Sequence, residues 1–507
     1  MVIECKIASG RVWCIQTDSS RAALEDISRC LSFEVPGKEH MPLFKQGRWD
    51  GVRHFFDWRT KAFRIGLLGY VKRKTAHEFS ILTSDITDND LNYVAVKNGS
   101  FELRDYQDKA VKDLLAAGGG IASIATNGGK TACMAAVVRA CAAAGKRVAV
   151  LEGRVELLSQ VKMEIEAWSQ LRLGQISAGV NSPSDCMIVM VPTAAGAIKR
   201  VMKEEASDKD IAIYDSLSGV GAWVVDECHH SSSRSYVSLL DLSRKALRFG
   251  FSGTIPSEES IAGISIREVL GDVVCTIKNA ELIEKNISAK PKINIIEYDV
   301  PGLSDKVDEF KQSIRGTCMK MLFDCYSPDG MAIMKYGFSV PTFIAKIKEF
   351  VMNYSVKQSN EFWGIVKSII SKHENDTTVI MVDWVEFGEE LAKFLGIEVL
   401  HGQLPAGKRS QVSTDFRSGK LRHIVSTSVL DEGISIDQIK VLVLATVGKS
   451  HRQFLQRIGR GLRKKAGINE LIVYDFMRYG HKYLLDPSKA RLALWRSEGF
   501  DVEFVEC

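Results

Sequence analysis

The sequence predicts an α/β protein built on two tandem parallel sheets, and three observations predict it. Apolar β-type runs alternate with helical stretches from about 98 to 286, and the same rhythm returns from about 356 to 480. No fixed-period repeat, heptad run or low-complexity tract competes with either series. Strands buried on both faces read as short continuous apolar runs, and that is how both series read.

Taken in order, residues 1–97 come first. Alternations such as Val2 to Ile7 and one helix-like stretch over 20–31 predict a small α+β unit, and the polar, acidic 83–92 reads as a linker. Residues 98–286 form the first parallel-sheet domain, with predicted strands at 121–125, 147–151, 187–191, 222–225 and 248–251. Residues 287–355 break the rhythm: a strand-like Ile293-Asn294-Ile295-Ile296 leads into irregular sequence around Tyr326 to Gly330, which predicts a connector with a small insertion. Residues 356–480 form the second domain, with strands at 378–382, 397–400, 423–426, 441–444 and 471–474. The remaining 481–507 are expected to form a short C-terminal extension, a helix over 487–498 and a strand over 502–505.

Composition narrows the class. A chain of 507 residues is too long for one compact core and predicts roughly three or four folding units. Its 11 cysteines are scattered and form no C-x-x-C pair, which argues against a zinc ribbon and a disulfide framework. No apolar run approaches the ~20 residues needed to cross a bilayer, and the start, Met1 to Lys6, has neither a basic nor an apolar leader region. The expectation is a cytoplasmic protein with no membrane partner. A net charge of +5 hints at a polyanion only weakly.

The chemistry starts where the strand at 121–125 runs into Thr126-Asn127-Gly128-Gly129-Lys130-Thr131 and then a helical stretch, the setting a phosphate-binding loop requires. Small residues let backbone N–H groups close on phosphates, Lys130 reaches the β/γ oxygens of ATP, and the Thr131 hydroxyl ligates Mg²⁺. The general pattern would put glycine where Ile124 stands. The bland alternative is a glycine-rich strand-to-helix turn. Further on, Trp223-Val224-Val225 delivers Asp226-Glu227-Cys228-His229-His230 at the end of an apolar strand, where α/β sheets place their ligands. Asp226 would hold Mg²⁺, and Glu227 would orient and deprotonate the attacking water. Taken singly, such a pair is more often a helix cap, but one domain-half after a phosphate loop it is far more often the hydrolytic pair. Phosphoryl transfer also needs positive charge on the transition state, and Gln456-Arg457-Ile458-Gly459-Arg460-Gly461-Leu462-Arg463 fits. On a helix Gln456, Arg460 and Arg463 share one face, although a solvated basic face would look similar.

The phosphate loop, the Asp-Glu-Cys-His box, Gly250-Phe251-Ser252-Gly253-Thr254 and the Gln-Arg-x-Gly-Arg-x-x-Arg run resemble, in order and spacing, the superfamily two helicases. A closer resemblance is to the UvsW-type helicases of tailed phages. It extends into Phe44-Lys45-Gln46-Gly47-Arg48-Trp49-Asp50-Gly51 and Gly66-Leu67-Leu68-Gly69, and covers about three quarters of the chain. The resemblance implies two RecA-like domains and a set of roles. Arg104 and Gln107 would read the adenine; Gly153 and Arg154, with Thr193, would contact the nucleic-acid backbone. Thr427 and Gly433 lie in a segment similar to motif V, with Thr427 toward DNA and Gly433 toward the nucleotide; Ser435 stands where many relatives have a ribose-binding Asp. His229 and His230 would couple the ATP site to motif III rather than hold a metal.

The N-terminal segment interleaves Lys45, Arg48, Arg53, Arg59, Arg64 and Arg73 with Trp49, Phe55, Phe56, Trp58, Phe63 and Tyr70. That mixture suits phosphate neutralisation with base stacking, and it equally describes an amphipathic strand with its core; Arg48 and Trp49 are the DNA-contact candidates. The resemblance implies an ATP- and Mg²⁺-dependent DNA helicase or translocase acting on forks and recombination intermediates. It is expected to be a monomer when free, working beside phage recombination proteins in the host cytosol. An RNA-dependent ATPase is the alternative, although Leu151-Glu152-Gly153-Arg154 and Phe251-Ser252-Gly253-Thr254 replace the signature segments of RNA helicases. A scaffold with an inert nucleotide site is another, opposed by a competent residue at every catalytic position.

Overall fold

A computed structural model of the protein describes residues 2–15, 21–84, 89–125, 127–285, 287–288, 290–300, 302–324, 340–357, 360–427, 439–445 and 470–506. The chain divides into two compact units, Met1–Lys278 and Asn279–Cys507.

The first unit opens on a four-stranded sheet in the order Ala62–Arg64, Arg11–Cys14, Val2–Ala8, Glu78–Ser84. In Val2–Ala8 the two-residue period turns Ile3, Cys5 and Ile7 inward and Val2, Glu4 and Lys6 outward, so one face is left to be covered. Helix Arg21–Cys30 covers it with Ala23, Leu24 and Ile27. Phe55, Phe56, Phe63 and Tyr70 complete that core, and Ile264 from the neighbouring parallel-sheet domain joins it. Residues 1–97 are therefore fastened to the domain that follows. A Cβ on Gly66 would lie 2.2 Å from the Arg267 carbonyl oxygen, so only glycine permits this approach.

The parallel-sheet domain of this unit has eight strands in the order Val180–Ser182, Gly174–Ser177, Cys186–Met190, Val148–Glu152, Ala222–Val225, Leu247–Ser252, Gly120–Ile124, Val273–Ile277. All neighbours are parallel except the first pair. Five of the six interior strands are the apolar runs read from sequence. The strands that the run criterion misses lie toward the edges, where partly exposed residues replace a continuous apolar stretch.

The second unit carries seven parallel strands in the order Glu398–Leu400, His423–Ser426, Thr378–Met381, Val441–Leu444, Glu470–Arg478, Lys290–Tyr298, Asp501–Phe504. Two expectations are corrected here. Residues 287–355 are not a connector: Lys290–Tyr298 is an interior strand with Ile293, Ile295 and Ile296 in the core, and Val307, Ile347 and Val351 of the following helices pack beside it. Nor is 481–507 an appendage, because Asp501–Phe504 extends the sheet and helix Lys482–Ser497 packs on it. The Arg491 guanidinium reaches both Asp475 oxygens at 3.0 and 2.9 Å, and the Trp495 indole N–H donates to Asp475 at 2.9 Å. A fully paired buried charge of this kind fixes one packing arrangement. The helix starts five residues before Pro487, with the His481 ring accepting the Tyr483 N–H at 3.1 Å as its cap.

Candidate functional site

Strand Gly120–Ile124 ends at a tight loop, and helix Lys130–Ala143 begins directly after it. The turn uses left-handed backbone at Asn127 (φ 71°) and Gly129 (φ 79°). A Cβ on Gly129 would lie 1.9 Å from the Gln107 side-chain nitrogen and would displace that amide, and the positive φ favours glycine as well. Gln107, 3% exposed, donates to the Gly128 carbonyl at 2.7 Å and accepts the Arg104 N–H at 2.8 Å. The expected adenine reader is thus tied to the phosphate loop itself, with one amide N–H left over. Arg104 places its guanidinium 3.2 Å from the Tyr106 hydroxyl. Thr131 occupies the first turn of the helix.

Strand Ala222–Val225, buried at all four positions, sets Asp226 and Glu227 opposite that helix. The Lys130 ammonium lies 3.0 Å from Asp226 Oδ1 and donates to Glu227 Oε1. Burial works against the Lys130 charge, but Asp226 and Glu227 outweigh it and hold its pKa above the ordinary lysine range. Burial likewise works against the Glu227 carboxylate, and Lys130 outweighs it, so Glu227 stays below the ordinary range. Glu227 sits at φ 43°, a left-handed conformation that costs a non-glycine residue about 1–3 kcal/mol and that surrounding structure must enforce. Two contacts contribute: Ser252 Oγ donates to Glu227 Oε2 at 3.4 Å and lies 2.9 Å from His229 Nδ1. Burial, with His230 beside it, pushes the His229 imidazole down to about 4, so the ring is neutral near pH 7. His229 thus lies between Glu227 and Ser252.

Strand Val148–Glu152 lies next to the Ala222–Val225 strand and carries the Gly153-Arg154 segment at its end. A Cβ on Gly153 would come within 2.6 Å of the Tyr236 hydroxyl. Arg154 caps helix Val155–Ser169, and its N–H donates to Glu152 Oε1 at 2.8 Å. Glu152 was not singled out from the sequence. It is 2% exposed, and desolvation with Asp226 nearby pushes its carboxyl up to about 7. The available signal was a charged residue closing an otherwise apolar strand.

Thr193 is half-buried in the first turn of helix Val191–Met202, and Thr427 is buried (6% exposed) just past strand His423–Ser426. Arg48 is exposed, whereas the half-buried Trp49 gives its indole N–H to the Val52 carbonyl at 2.9 Å. The rest of the interleaved segment divides between the two readings. Phe55, Phe56, Phe63 and Tyr70 are core, Arg64 pairs with Asp241, and Arg73 pairs with Asp272. Thr126, Gly433, Gln456, Arg460 and Arg463 lie outside the described residues.

A phosphate loop facing an Asp-Glu pair, followed by a second parallel-sheet unit, is the arrangement of a nucleotide-driven motor, and two family models identify it as a superfamily two helicase. The type III restriction enzyme res subunit family matches residues 100–257, and the helicase conserved C-terminal domain family matches 362–465. Within that superfamily the chain is UvsW-like. It is 21% identical over 488 residues to the ATP-dependent DNA helicase uvsW of Enterobacteria phage T4, covering 91% of this chain and 88% of the relative. It is 24% identical over 405 residues to the DNA 3'-5' translocase XPB2 of Sulfurisphaera tokodaii, covering 78% and 85%. Among solved structures, the Hef helicase domain of Pyrococcus furiosus superposes with a TM-score of 0.52 at 13% identity, covering 80% of this chain and all of that one. The last likeness concerns the fold. ATP use goes with the family, and no helix among the described residues is long and apolar enough to cross a membrane.

Proposed function

We propose that the chain is an ATP-dependent DNA helicase or translocase that remodels branched DNA by fork regression and branch migration, in recombination and repair. The observation that carries the reading is the Lys130 ammonium held between Asp226 and Glu227 at the mouth of the phosphate loop. These residues fit a magnesium nucleotide: Gly128 and Gly129 leave the turn before Lys130 without side chains, and the carboxylates face the ammonium that would transfer to phosphate oxygens. Among the described residues no three His, Cys, Asp or Glu side chains form a metal cage, which suits a cation that keeps its waters and arrives on phosphates. Thr131 and Asp226 would hold Mg²⁺, which when bound neutralises charge developing on the transferred phosphoryl group. Lys130 then binds the phosphates, and Glu227, held in its strained conformation, takes the proton of the attacking water. Gln456, Arg460 and Arg463 are proposed to add the remaining positive charge.

Arg48, Gly153, Arg154, Thr193 and Thr427 are the proposed DNA contacts. Because they would meet phosphate and sugar, binding should be independent of sequence and steeply salt-dependent. The direction in the XPB2 relative's name, 3'-5', is the direction we infer. We also infer a free monomer in the host cytosol with phage recombination proteins as partners. The test compares ATPase stimulation by single-stranded DNA, forked DNA, a four-way junction and RNA. Branched DNA is expected to stimulate most, and stimulation by RNA alone would overturn the choice of substrate.

A further inference from the structure

All five positions of strand Val148–Glu152 are buried, and only the last, Glu152, is not apolar. A carboxylate in such a place needs hydrogen bonds to both oxygens to offset its desolvation. Glu152 has them on one side. Oε1 accepts the Arg154 N–H at 2.8 Å, while Oε2 is buried without a hydrogen-bond partner among the described residues.

The sheet register says where that oxygen belongs. Leu151 is paired with Val225, and the Asp226 N–H donates to the Leu151 carbonyl at 3.2 Å. One step further along the two chains come Glu152 and Asp226, and the Asp226 charge is among the causes that raise the Glu152 carboxyl, so the two lie close together. Asp226 is itself only 6% exposed and shares the Lys130 ammonium with Glu227. Next to the carboxylate proposed for Mg²⁺ there is therefore a second buried carboxyl, one of whose oxygens has no hydrogen-bond partner among the described residues.

We propose that Glu152 is a further carboxylate of the magnesium-nucleotide site: its free oxygen accepts a hydrogen bond from a water on the metal, while its other oxygen holds the Arg154 backbone. This rests on the proposed function, in which Asp226 holds the metal. Glu152 is a positioning residue. It orients the hydrated metal and, through Arg154, ties metal occupancy to the segment proposed to contact DNA, so that binding of the magnesium nucleotide is felt at Gly153 and Arg154.

The test uses the full chain and a fluorescent, non-hydrolysable ATP analogue, titrated with Mg²⁺ in the wild type, Glu152→Gln, Glu152→Ala and Asp226→Asn, with melting temperatures measured in EDTA. Groups that orient a metal from beyond its direct ligands change affinity by about 10–100-fold, so both Glu152 variants should raise the Mg²⁺ midpoint about 10-fold. Glu152→Gln, which removes a buried charge but keeps an acceptor for Arg154, should melt in EDTA no lower than the wild type. Unchanged midpoints in both variants, with Asp226→Asn impaired, would overturn this inference alone. A Glu152→Gln variant that melts well below the wild type in EDTA would show a purely structural role and overturn it as well. A wild type whose nucleotide binding ignores Mg²⁺ would overturn the parent reading, and this one with it.

Discussion

Replacing Arg64 with alanine should loosen the N-terminal sheet from the motor domain beneath it. The guanidinium donates to both Asp241 oxygens, at 2.9 and 2.8 Å, and both side chains are 25% exposed. Its Nε also lies 3.5 Å from Glu268. Hydrogen bonds to charged groups contribute roughly 1.5–3 kcal/mol when buried, and exposed pairs about 0–1 kcal/mol. A bidentate pair buried to this degree falls between, so a double-mutant cycle of Arg64→Ala with Asp241→Ala should give a coupling of about 2 kcal/mol. The single Arg64→Ala change should cost more, about 3 kcal/mol, because among the described residues Asp241 is then left with the Arg248 cation at 3.7 Å. The assay is the urea dependence of proteolytic cleavage within residues 1–84. With a slope of about 1–3 kcal/mol per molar urea, the single variant's midpoint should fall by about 1 M or more. A coupling below about 0.5 kcal/mol would refute the view that this pair fastens the two parts together.

Two further predictions concern the site. Gly153→Ala brings a methyl group within 2.6 Å of the Tyr236 hydroxyl, so it should weaken DNA binding, measured by anisotropy, about 10-fold. Adding Tyr236→Phe, which removes the clashing oxygen, should restore most of that loss; no recovery would place the defect elsewhere. The second concerns pH. The folded His229 pKa, near 4, lies below the unfolded value of about 6.5, so the unfolded state binds more protons between these values. The stability this histidine contributes is fully present above about pH 6.5 and is lost as pH falls toward 4. Melting followed across that window should flatten in His229→Asn, and an unaltered slope would contradict the assignment.

Much of the fold was legible because buried parallel strands announce themselves as apolar runs, and Ala222–Val225 and Val441–Leu444 were placed to the residue. What was not legible is spatial order. Lys290–Tyr298 lies between Glu470–Arg478 and Asp501–Phe504, strands that follow it by some two hundred residues, and nothing local marks that insertion. At the site, Lys130, Asp226 and Glu227 could be brought together from sequence because a phosphate loop and an Asp-Glu pair need each other. The basic N-terminal residues could not be sorted so, since Arg64 and Arg73 look like DNA ligands until Asp241 and Asp272 appear opposite them. Gln107 shows a subtler limit: its type was readable, but its grip on the Gly128 carbonyl depends on loop geometry.

The most direct test of the motor is turnover with and without DNA in Lys130→Ala and Glu227→Gln, alongside ATP-analogue binding. Lys130→Ala should lose both binding and DNA-stimulated hydrolysis. Glu227→Gln keeps an acceptor for Lys130 but no base, so it should bind nucleotide while its DNA-stimulated turnover falls about 10²–10⁴-fold. Unchanged turnover in Glu227→Gln would contradict the assignment of this site as the hydrolytic centre.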